Sequence, residues 1–422
     1  MSSFPPTKLG RYRVLSPNAG LRVSPLQLGA MSIGDKWEGL GTMNKESSFK
    51  LLDAYFDAGG NFIDTANNYQ DGSSEEFIGE WAEKRGIRDQ LVIATKYSSC
   101  AKRGDNSIGV KINYVGNNHK SLHLSVEASL KKLRTSYLDI LYVHWWGFDS
   151  SIEEVMNNLH NLVTSEKVLY LGISDTPAWI VSKANQWAHD HGKTPFSIYQ
   201  GNWSILDRSL ERDILPMAKS EGLALAPWGV VWGGRIMTDE EEKRRKASGE
   251  NGRQLWAGTC ERTPDEIKIS HKLEEVAKEV GAKHITALAI AYVMHKAPYV
   301  FPIIGGRKVE HLQSNIEALD IKLTAEQIKS LETVIPFDPG FPNNMIGDGT
   351  TDCWLVGAAG QTDKWQGVPS QPVSNSMVVK PQEKGSFVLT KLNLYGKPNK
   401  VAIPSPEVSP VLEKRELLVQ TP

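Results

Sequence analysis

Residues 61–96 read NFIDTANNYQDGSSEEFIGEWAEKRGIRDQLVIATK, and the reading of this stretch decides the fold. "NFID" is a short apolar run with Asp64 placed directly after the apolar residues, and Tyr69 follows five residues later. "SSEEFIGEWAEKRG" then has a helical pattern: Ser73 and Glu76 stand at capping-box spacing and Gly86 closes the segment. "LVIATK" is a second apolar run, ending in Lys96. Strand, helix and strand joined by short connections predict a βαβ unit with parallel strands.

The same alternation extends in both directions. Further strand-like runs are "PLQLGAMS", "LDILYVHW", "VLYLGIS", "FSIYQ", "LALAPW" and "YVFPIIG", which brings the total to eight. Their apolar residues are near-continuous, as expected where both faces of a sheet are covered. Between them lie amphipathic segments. Leu122, Val126, Leu130 and Leu133 share one helical face, as do Ile152, Val155, Leu159 and Leu162. Gly59 and Gly192 are natural helix stops, Pro177 stands near a first turn, and Pro216 implies a kink or a split. Eight such units over about 300 residues predict a closed (β/α)8 barrel. An open doubly wound sheet is the competing arrangement, but the G-x-G-x-x-G turn it usually carries for a dinucleotide is missing.

The barrel is expected over residues 1–348. Its seventh connection, Gly229 to about Thr263, holds the charge run "TDEEEKRRKASGENGRQ", which reads most simply as a solvated loop with at most a helical turn. "TAEQIKSLETVI" predicts one further helix outside the barrel. From 349 to 422 the pattern dissolves into Pro-, Ser- and Lys-rich sequence, read as an irregular tail in which "SFVLTKLNLY" could form a strand.

Composition narrows the function. Of 422 residues, 40% are hydrophobic and 23% charged, as in soluble globular proteins, and the formal net charge of -1 favours neither nucleic acid nor an anionic membrane. The start lacks the apolar core of a signal peptide, and the most apolar region, 285–304, is broken by His295, Lys296 and Pro298. Cys100, Cys260 and Cys353 make neither a metal-type spacing nor a disulfide framework, which fits a reducing, cytoplasmic compartment. No metal site is expected; His189 and His191 read as surface residues at a helix end.

In a barrel of this kind chemistry collects at the C-terminal strand ends. Asp64 and Tyr69 follow the second strand, Lys96 the third and His144 the fourth. A phenol with a pKa of about 10 exchanges protons poorly near neutrality, and a nearby ammonium lowers that value. Lys96 can supply the charge, Asp64 can pair with it, and His144 can donate to a substrate oxygen, so the four make a proton donor facing a polarised carbonyl. Each residue alone has an ordinary structural reading; the joint placement on three successive strands carries the inference. "GGRKVEHLQSN" after the eighth strand opens a helix where Gly306 lets backbone approach a phosphate and Arg307 and Lys308 add positive charge.

These segments resemble the aldo-keto reductase family. "NFIDTANNY" is similar to its Asp-to-Tyr segment, "ATK" to its lysine segment and "YVHWW" to its histidine segment, while "LGISD", "YQGNWS", "APWGVVWGG" and "PIIGGRKVEHLQSNIEAL" resemble its cofactor segments in order, over residues 20–335. "GAMSIGDKW", "ISDTPAW" and "HWW" resemble most the fungal aryl-alcohol dehydrogenase branch, with its norsolorinic acid reductase-like enzymes. The resemblance implies reduction of an aldehyde or ketone by NADPH, with Tyr69 as proton donor, Lys96 and Asp64 tuning it, and His144 orienting the carbonyl. It implies Ser174, Asp175 and Gln200 against the nicotinamide carboxamide, Trp228 and Gly229 at the pyrophosphate loop, and Arg307, His311 and Asn315 at the adenosine end. It further suggests a role in fungal secondary metabolism. A cofactor-sensing regulatory subunit and a weakly active paralogue on the same fold are the alternatives; a monomer and a homo-oligomer stay equally open.

Two departures stand out. Where many members have Asn after the serine of the fifth strand this chain has Asp175, and where many stack a tyrosine on the nicotinamide it has Pro227 and Trp228. Trp145, Trp146 and Trp232 are expected near the pocket mouth, either stacking on a flat aromatic substrate or packing under the long loops.

Overall fold

The computed structural model describes residues 7–37, 41–249, 261–364, 367 and 369–372. An antiparallel hairpin comes first, β1 (Arg13–Ser16) and β2 (Ala19–Val23). Eight parallel strands follow: β3 (Gln27–Gly29), β4 (Phe62–Asp64), β5 (Val92–Tyr97), β6 (Leu138–Val143), β7 (Val168–Ser174), β8 (Ile198–Asn202), β9 (Ala224–Trp228) and β10 (Ile303–Ile304). They pair in the order β10-β3-β4-β5-β6-β7-β8-β9. The edges meet where Leu225 of β9 bridges Val300 in parallel and its carbonyl accepts from the Phe301 amide at 2.8 Å. The fold is therefore the (β/α)8 barrel, with all eight strands at the expected runs.

Helices α1 (Lys45–Asp57), α2 (Ser73–Arg85), α3 (His119–Leu133), α4 (Ile152–Thr164), α5 (Ala178–Asp190) and α6 (Ile214–Glu221) connect successive strands. The long seventh connection holds α7 (Asp239–Ser248), α8 (Pro264–Val280) and α9 (Ile285–Lys296), and α10 (Val309–Ile316) and α11 (Ala325–Glu332) follow β10. All six residues of β5 and of β6 are buried, because one face packs on helices and the other fills the barrel. Phe62, Val92, Ala94, Ile140, Ile198, Ala224 and Phe301 form the inner cluster. Leu15, Ala19 and Val23 of the β1–β2 hairpin join it and stopper the end opposite the strand C-termini; this hairpin was not foreseen from the sequence.

Local details differ from the expectation in instructive ways. Ser73 and Glu76 form no capping box. The chain enters α2 from two left-handed residues, Gln70 and Asp71, through Gly72 at the N-cap, so Ser73 falls inside the first turn and donates to the Gln70 carbonyl at 3.0 Å. Capping boxes do form at Thr263–Glu266 and Thr324–Gln327. Pro216 splits its segment, standing in the first turn of α6, where its missing N–H costs nothing, after a short 3₁₀ turn at Ser209–Glu211.

Within the charge run, Asp239–Ser248 form a ten-residue helix, not a loop. Thr238 caps α7, four acidic residues fill its first turn, and Arg245 and Lys246 stand in its last, all complementing the helix dipole. Residues 250–260, including Cys260, lie outside the described residues. In the region read as a tail, α12 (Asn343–Ile346) lies just before it and α13 (Trp354–Gly357) within it; Gln371 then donates to the Met294 carbonyl and accepts from Arg13. The remainder from 373, with its strand-like "SFVLTKLNLY", lies outside the described residues. Among the described residues no helix is long and apolar enough to cross a membrane.

Close packing of α2 on α3 requires Gly79. A Cβ there would lie 2.3 Å from the Lys132 carbonyl oxygen and 2.6 Å from the Leu133 carbonyl carbon. Gly79→Ala should therefore lower the unfolding free energy by about 1–3 kcal/mol. Urea titration checks this; an unchanged midpoint would show that the two helices can part without cost.

Candidate functional site

Alternation along each strand places one set of side chains inside the barrel, and at the C-terminal ends that set turns polar. Asp64 closes β4 one register step from Phe62, and Lys96 lies two residues beyond Ala94 in β5. His144 lies two beyond Tyr142, and Ser174 and Gln200 end the inward series of β7 and β8.

Lys96 is fully buried and its ammonium organises the group. It donates to both Asp64 carboxylate oxygens at 2.8 Å, to the Thr65 carbonyl at 2.7 Å and to the Tyr69 hydroxyl at 3.3 Å. Gln200 donates to Asp64 Oδ1 at 2.8 Å. Because the Tyr69 oxygen accepts from Lys96, its own hydrogen is left to point into the cavity. His144 stands edge-on to the Tyr69 ring, centroids 6.0 Å apart. Its Nδ1 meets the Ser99 hydroxyl at 3.3 Å, and that hydroxyl accepts from the Trp145 indole at 3.1 Å. Ser99 keeps a hydrogen that it can give to Nδ1, the arrangement that puts the imidazole hydrogen on Nε2.

The loop carrying Tyr69 is pinned by a residue that sequence reasoning missed. Gln70 is fully buried; its Oε1 accepts from the Lys36 and Trp37 amides, and its Nε2 donates to the Met31 and Gly41 carbonyls. Gly34 permits the approach, since a Cβ there would sit 2.5 Å from Gln70 Cβ. Trp37 is thereby set edge-on to Tyr69 at 6.3 Å and bonds Asp71 through its indole at 2.9 Å. The local signal was an amide side chain next to the phenol expected at the site.

Burial pushes the Tyr69 hydroxyl up, opposed by the Lys96 ammonium, and the net direction is upward. Burial pulls Lys96 down, but Asp64 and Tyr69 together outweigh it and hold the ammonium charged. His144 is lowered to about 3, by burial first and by Lys96 second, so it is neutral at physiological pH. Asp175, an exposed residue that lines the cavity, is raised to about 6 by desolvation among its neighbours, against the Trp228 indole that donates to its Oδ1 at 3.2 Å.

A cavity of about 1040 Å³ runs from this group along the barrel mouth. Of the residues expected at the site, Asp64, Tyr69, His144, Asp175, Gln200, Trp228, Gly229, Trp232, Gly306, Arg307, His311 and Asn315 line it. Lys96 and Ser174 stand directly behind the wall, Lys96 in contact with Tyr69. Trp146 does not line it; the indole packs in the core between barrel and helices, in keeping with the packing alternative. Trp145 likewise gives its N–H to Ser99 instead of lining the cavity. Trp232 does line it, tethered through its indole to Glu266 at 2.9 Å.

The far end is cationic. Arg307, Lys308, Lys283 and the α7 residues Arg244 and Arg245 all line the cavity, where Glu241 pairs with both α7 arginines and leaves the cations in excess. Gly306 has no room for a side chain, since a Cβ would lie 2.9 Å from His311 Cβ. A backbone cradle among fixed positive charges fits the phosphates of a dinucleotide. The two α7 arginines belong to the run read as solvated, where nothing in one-dimensional pattern brings them to the mouth.

The family model described as Aldo/keto reductase family matches residues 25–336. An aryl-alcohol dehydrogenase [NADP(+)] of Phanerodontia chrysosporium is 61% identical over 370 residues, covering 86% of this chain and 95% of that protein. The aldo-keto reductase ausK of Emericella nidulans is 53% identical, covering 83% and 88%. Norsolorinic acid reductase A of Aspergillus parasiticus is 49% identical, covering 86% and 90%.

The depressed imidazole and its hydroxyl partner predict a spectroscopic signature. Nitrogen resonances of His144 should stay those of neutral imidazole, protonated on Nε2, from pH 8 down to about pH 5, since the group takes up its proton only toward about 3. An imidazolium signal titrating near the ordinary value of about 6.5 would contradict this assignment.

Proposed function

The chain belongs to the aldo/keto reductase family and is an oxidoreductase, and on that premise we propose that it reduces an aryl or polyketide-like aldehyde or ketone to the alcohol, using NADPH. The observation that supports this most directly is the buried contact of Lys96 with both Asp64 and Tyr69 beside a neutral His144. The cytoplasm and fungal secondary metabolism are the setting we propose for it, by analogy with relatives such as the norsolorinic acid reductase.

The bound cofactor supplies the two electrons and one hydrogen of the reduction. The residues do the rest. His144 Nε2–H donates to the substrate carbonyl oxygen and orients it, without giving up its proton, because the imidazole is already neutral. The Tyr69 hydroxyl hydrogen, left unused by Lys96, faces the same oxygen. As negative charge develops there, Tyr69 transfers its proton, and the ammonium 3.3 Å away stabilises the phenolate that forms. Asp64 keeps Lys96 charged and fixed. Ser174, Asp175 and Gln200 would hold the nicotinamide, Trp228 and Gly229 would flank the pyrophosphate, and Arg307, His311 and Asn315 would take the adenosine end. Arg307 and Lys308, with Arg244 and Arg245 also lining the cavity, suit the extra phosphate of NADPH over NADH. Trp37 and Trp232 present aromatic faces to a flat substrate.

Tyr69→Phe should lower kcat for aryl aldehydes by about 10²-fold or more while changing the NADPH Kd little. Stopped-flow and fluorescence titration separate the two, and full turnover in the variant would remove Tyr69 as proton donor. Arg307→Ala should weaken NADPH binding by about tenfold or more and leave NADH nearly unchanged, as loss of a charge-assisted phosphate contact requires. Equal losses for both cofactors would end the case for phosphate discrimination.

A further inference from the structure

Behind the loop that carries Tyr69 lies an ion pair that the chemistry above does not use. Glu75, in the first turn of α2, is fully buried; its Oε2 pairs with Lys132 Nζ of α3 at 2.5 Å, and its Oε1 accepts from the Thr95 hydroxyl at 2.6 Å. Thr95 immediately precedes Lys96 in β5 and points to the opposite face of the sheet. Burying a carboxylate is costly unless it is paired and hydrogen-bonded, and both conditions are met here.

Packing two helices together does not account for where the remaining bond goes. Besides pairing with Glu75 of α2, Lys132 Nζ donates to the main-chain carbonyl of Asn67, at 2.9 Å, two residues before Tyr69. Asn67, itself fully buried, divides its own bonds between the two halves of the catalytic group. Its amide donates to the Lys96 carbonyl at 3.1 Å. Its side-chain nitrogen donates to the Ser99 carbonyl at 2.9 Å and to the Ser125 hydroxyl of α3 at 3.1 Å. Ser99 is the residue whose hydroxyl meets His144. A loop with consecutive left-handed residues at Gln70 and Asp71 has no regular backbone ladder to fix it, so such outside anchors decide where Tyr69 sits.

We propose that Glu75 and Lys132 are positioning residues that act through Asn67 to hold Tyr69, Lys96 and His144 at one mutual spacing. The pair touches no reacting atom. It rests on the reduction proposed above, and on Tyr69 and His144 acting on one oxygen. Since a displacement of about 1 Å can cost about 10²-fold in rate, cutting the anchor should slow the chemical step while leaving binding in place.

The test uses the full-length protein and the variants Lys132→Met, Glu75→Gln, Lys132→Arg and Asn67→Ser. Asn67→Ser keeps the ion pair and the main-chain carbonyl that Lys132 holds, and cuts only the side-chain bonds to Ser99 and Ser125, so it tests the link from Asn67 to His144 even if loss of either charge prevents folding. Single-turnover reduction of an aryl aldehyde, normalised to sites titrated with NADPH, should slow about tenfold or more in Lys132→Met and in Asn67→Ser. The NADPH Kd and the KM for aldehyde should change by less than about threefold, and Lys132→Arg should recover most of the rate. Separately from turnover, the His144 nitrogen resonances should shift or split between tautomers in Asn67→Ser. Wild-type rate per titrated site, whatever happens to the melting temperature, would overturn the proposal, as would an unchanged His144 spectrum. If the wild-type chain binds NADPH yet reduces no carbonyl, the functional reading fails on its own, and the His144 spectrum alone decides whether the anchor exists.

Discussion

One buried ammonium sets the terms for the rest of the molecule. Lys96 is fully enclosed, and an ion that far from water is tolerated only where fixed dipoles and an opposite charge replace its hydration. The barrel meets that demand from three directions: the Asp64 carboxylate from β4, the Thr65 carbonyl just after it, and the Tyr69 hydroxyl from the loop beyond. Gln200, four strands away, completes Asp64 by donating to the oxygen that Lys96 shares. The site is thus not a set of residues placed on a finished scaffold. The same ion donates a bond at each end of the inward stretch of loop, to the Thr65 carbonyl and the Tyr69 hydroxyl.

The scaffold makes this arrangement reproducible through parity. In every strand the residues that fill the lower barrel and those that line the cavity belong to one series of alternate positions, as with Phe62 and Asp64 or Ala94 and Lys96. The apolar members fix the register, and the register then carries the polar members to the mouth. The hairpin at the other end covers the apolar layer, its Leu15, Ala19 and Val23 joining the inner cluster.

This division explains what could be read in the sequence and what could not. Strand runs, the barrel, Asp64, Tyr69, Lys96 and His144 are features of local pattern, and each appears where the pattern puts it. So do Gly306 and Arg307, which sit at a strand-to-helix turn with its own chemistry. Contacts made across the fold were not legible. Gln70 holds Met31, Lys36, Trp37 and Gly41, 29 to 39 positions earlier in the chain, and Glu75 meets Lys132 on the next helix. Arg244 and Arg245 looked like solvated charge because their helix could be placed over the cavity only in three dimensions. Trp146 had two readings in the sequence, substrate contact or packing, and only the three-dimensional core shows it packed. The Ser73–Glu76 spacing misled because a capping box depends on how the chain arrives, and the left-handed turn before it moves the helix start by one residue.

The same ammonium also divides labour between the two donors that face the cavity. It lies close enough to His144 to help keep the imidazole neutral, since a second positive charge there would repel it. It lies close enough to Tyr69 to favour the phenolate, working against the burial that raises the phenol. A neutral imidazole N–H is far too weak an acid to surrender its proton to an alkoxide-like oxygen in preference to a phenol beside an ammonium. In the proposed reaction, therefore, His144 orients and Tyr69 protonates, and the assignment follows from a single charge acting with opposite consequences on two neighbours. Exchanging Lys96 for a neutral residue would remove more than a tuning charge: the imidazole would be freer to ionise, the phenol would lose its counter-charge, and Asp64 would be left buried without its partner.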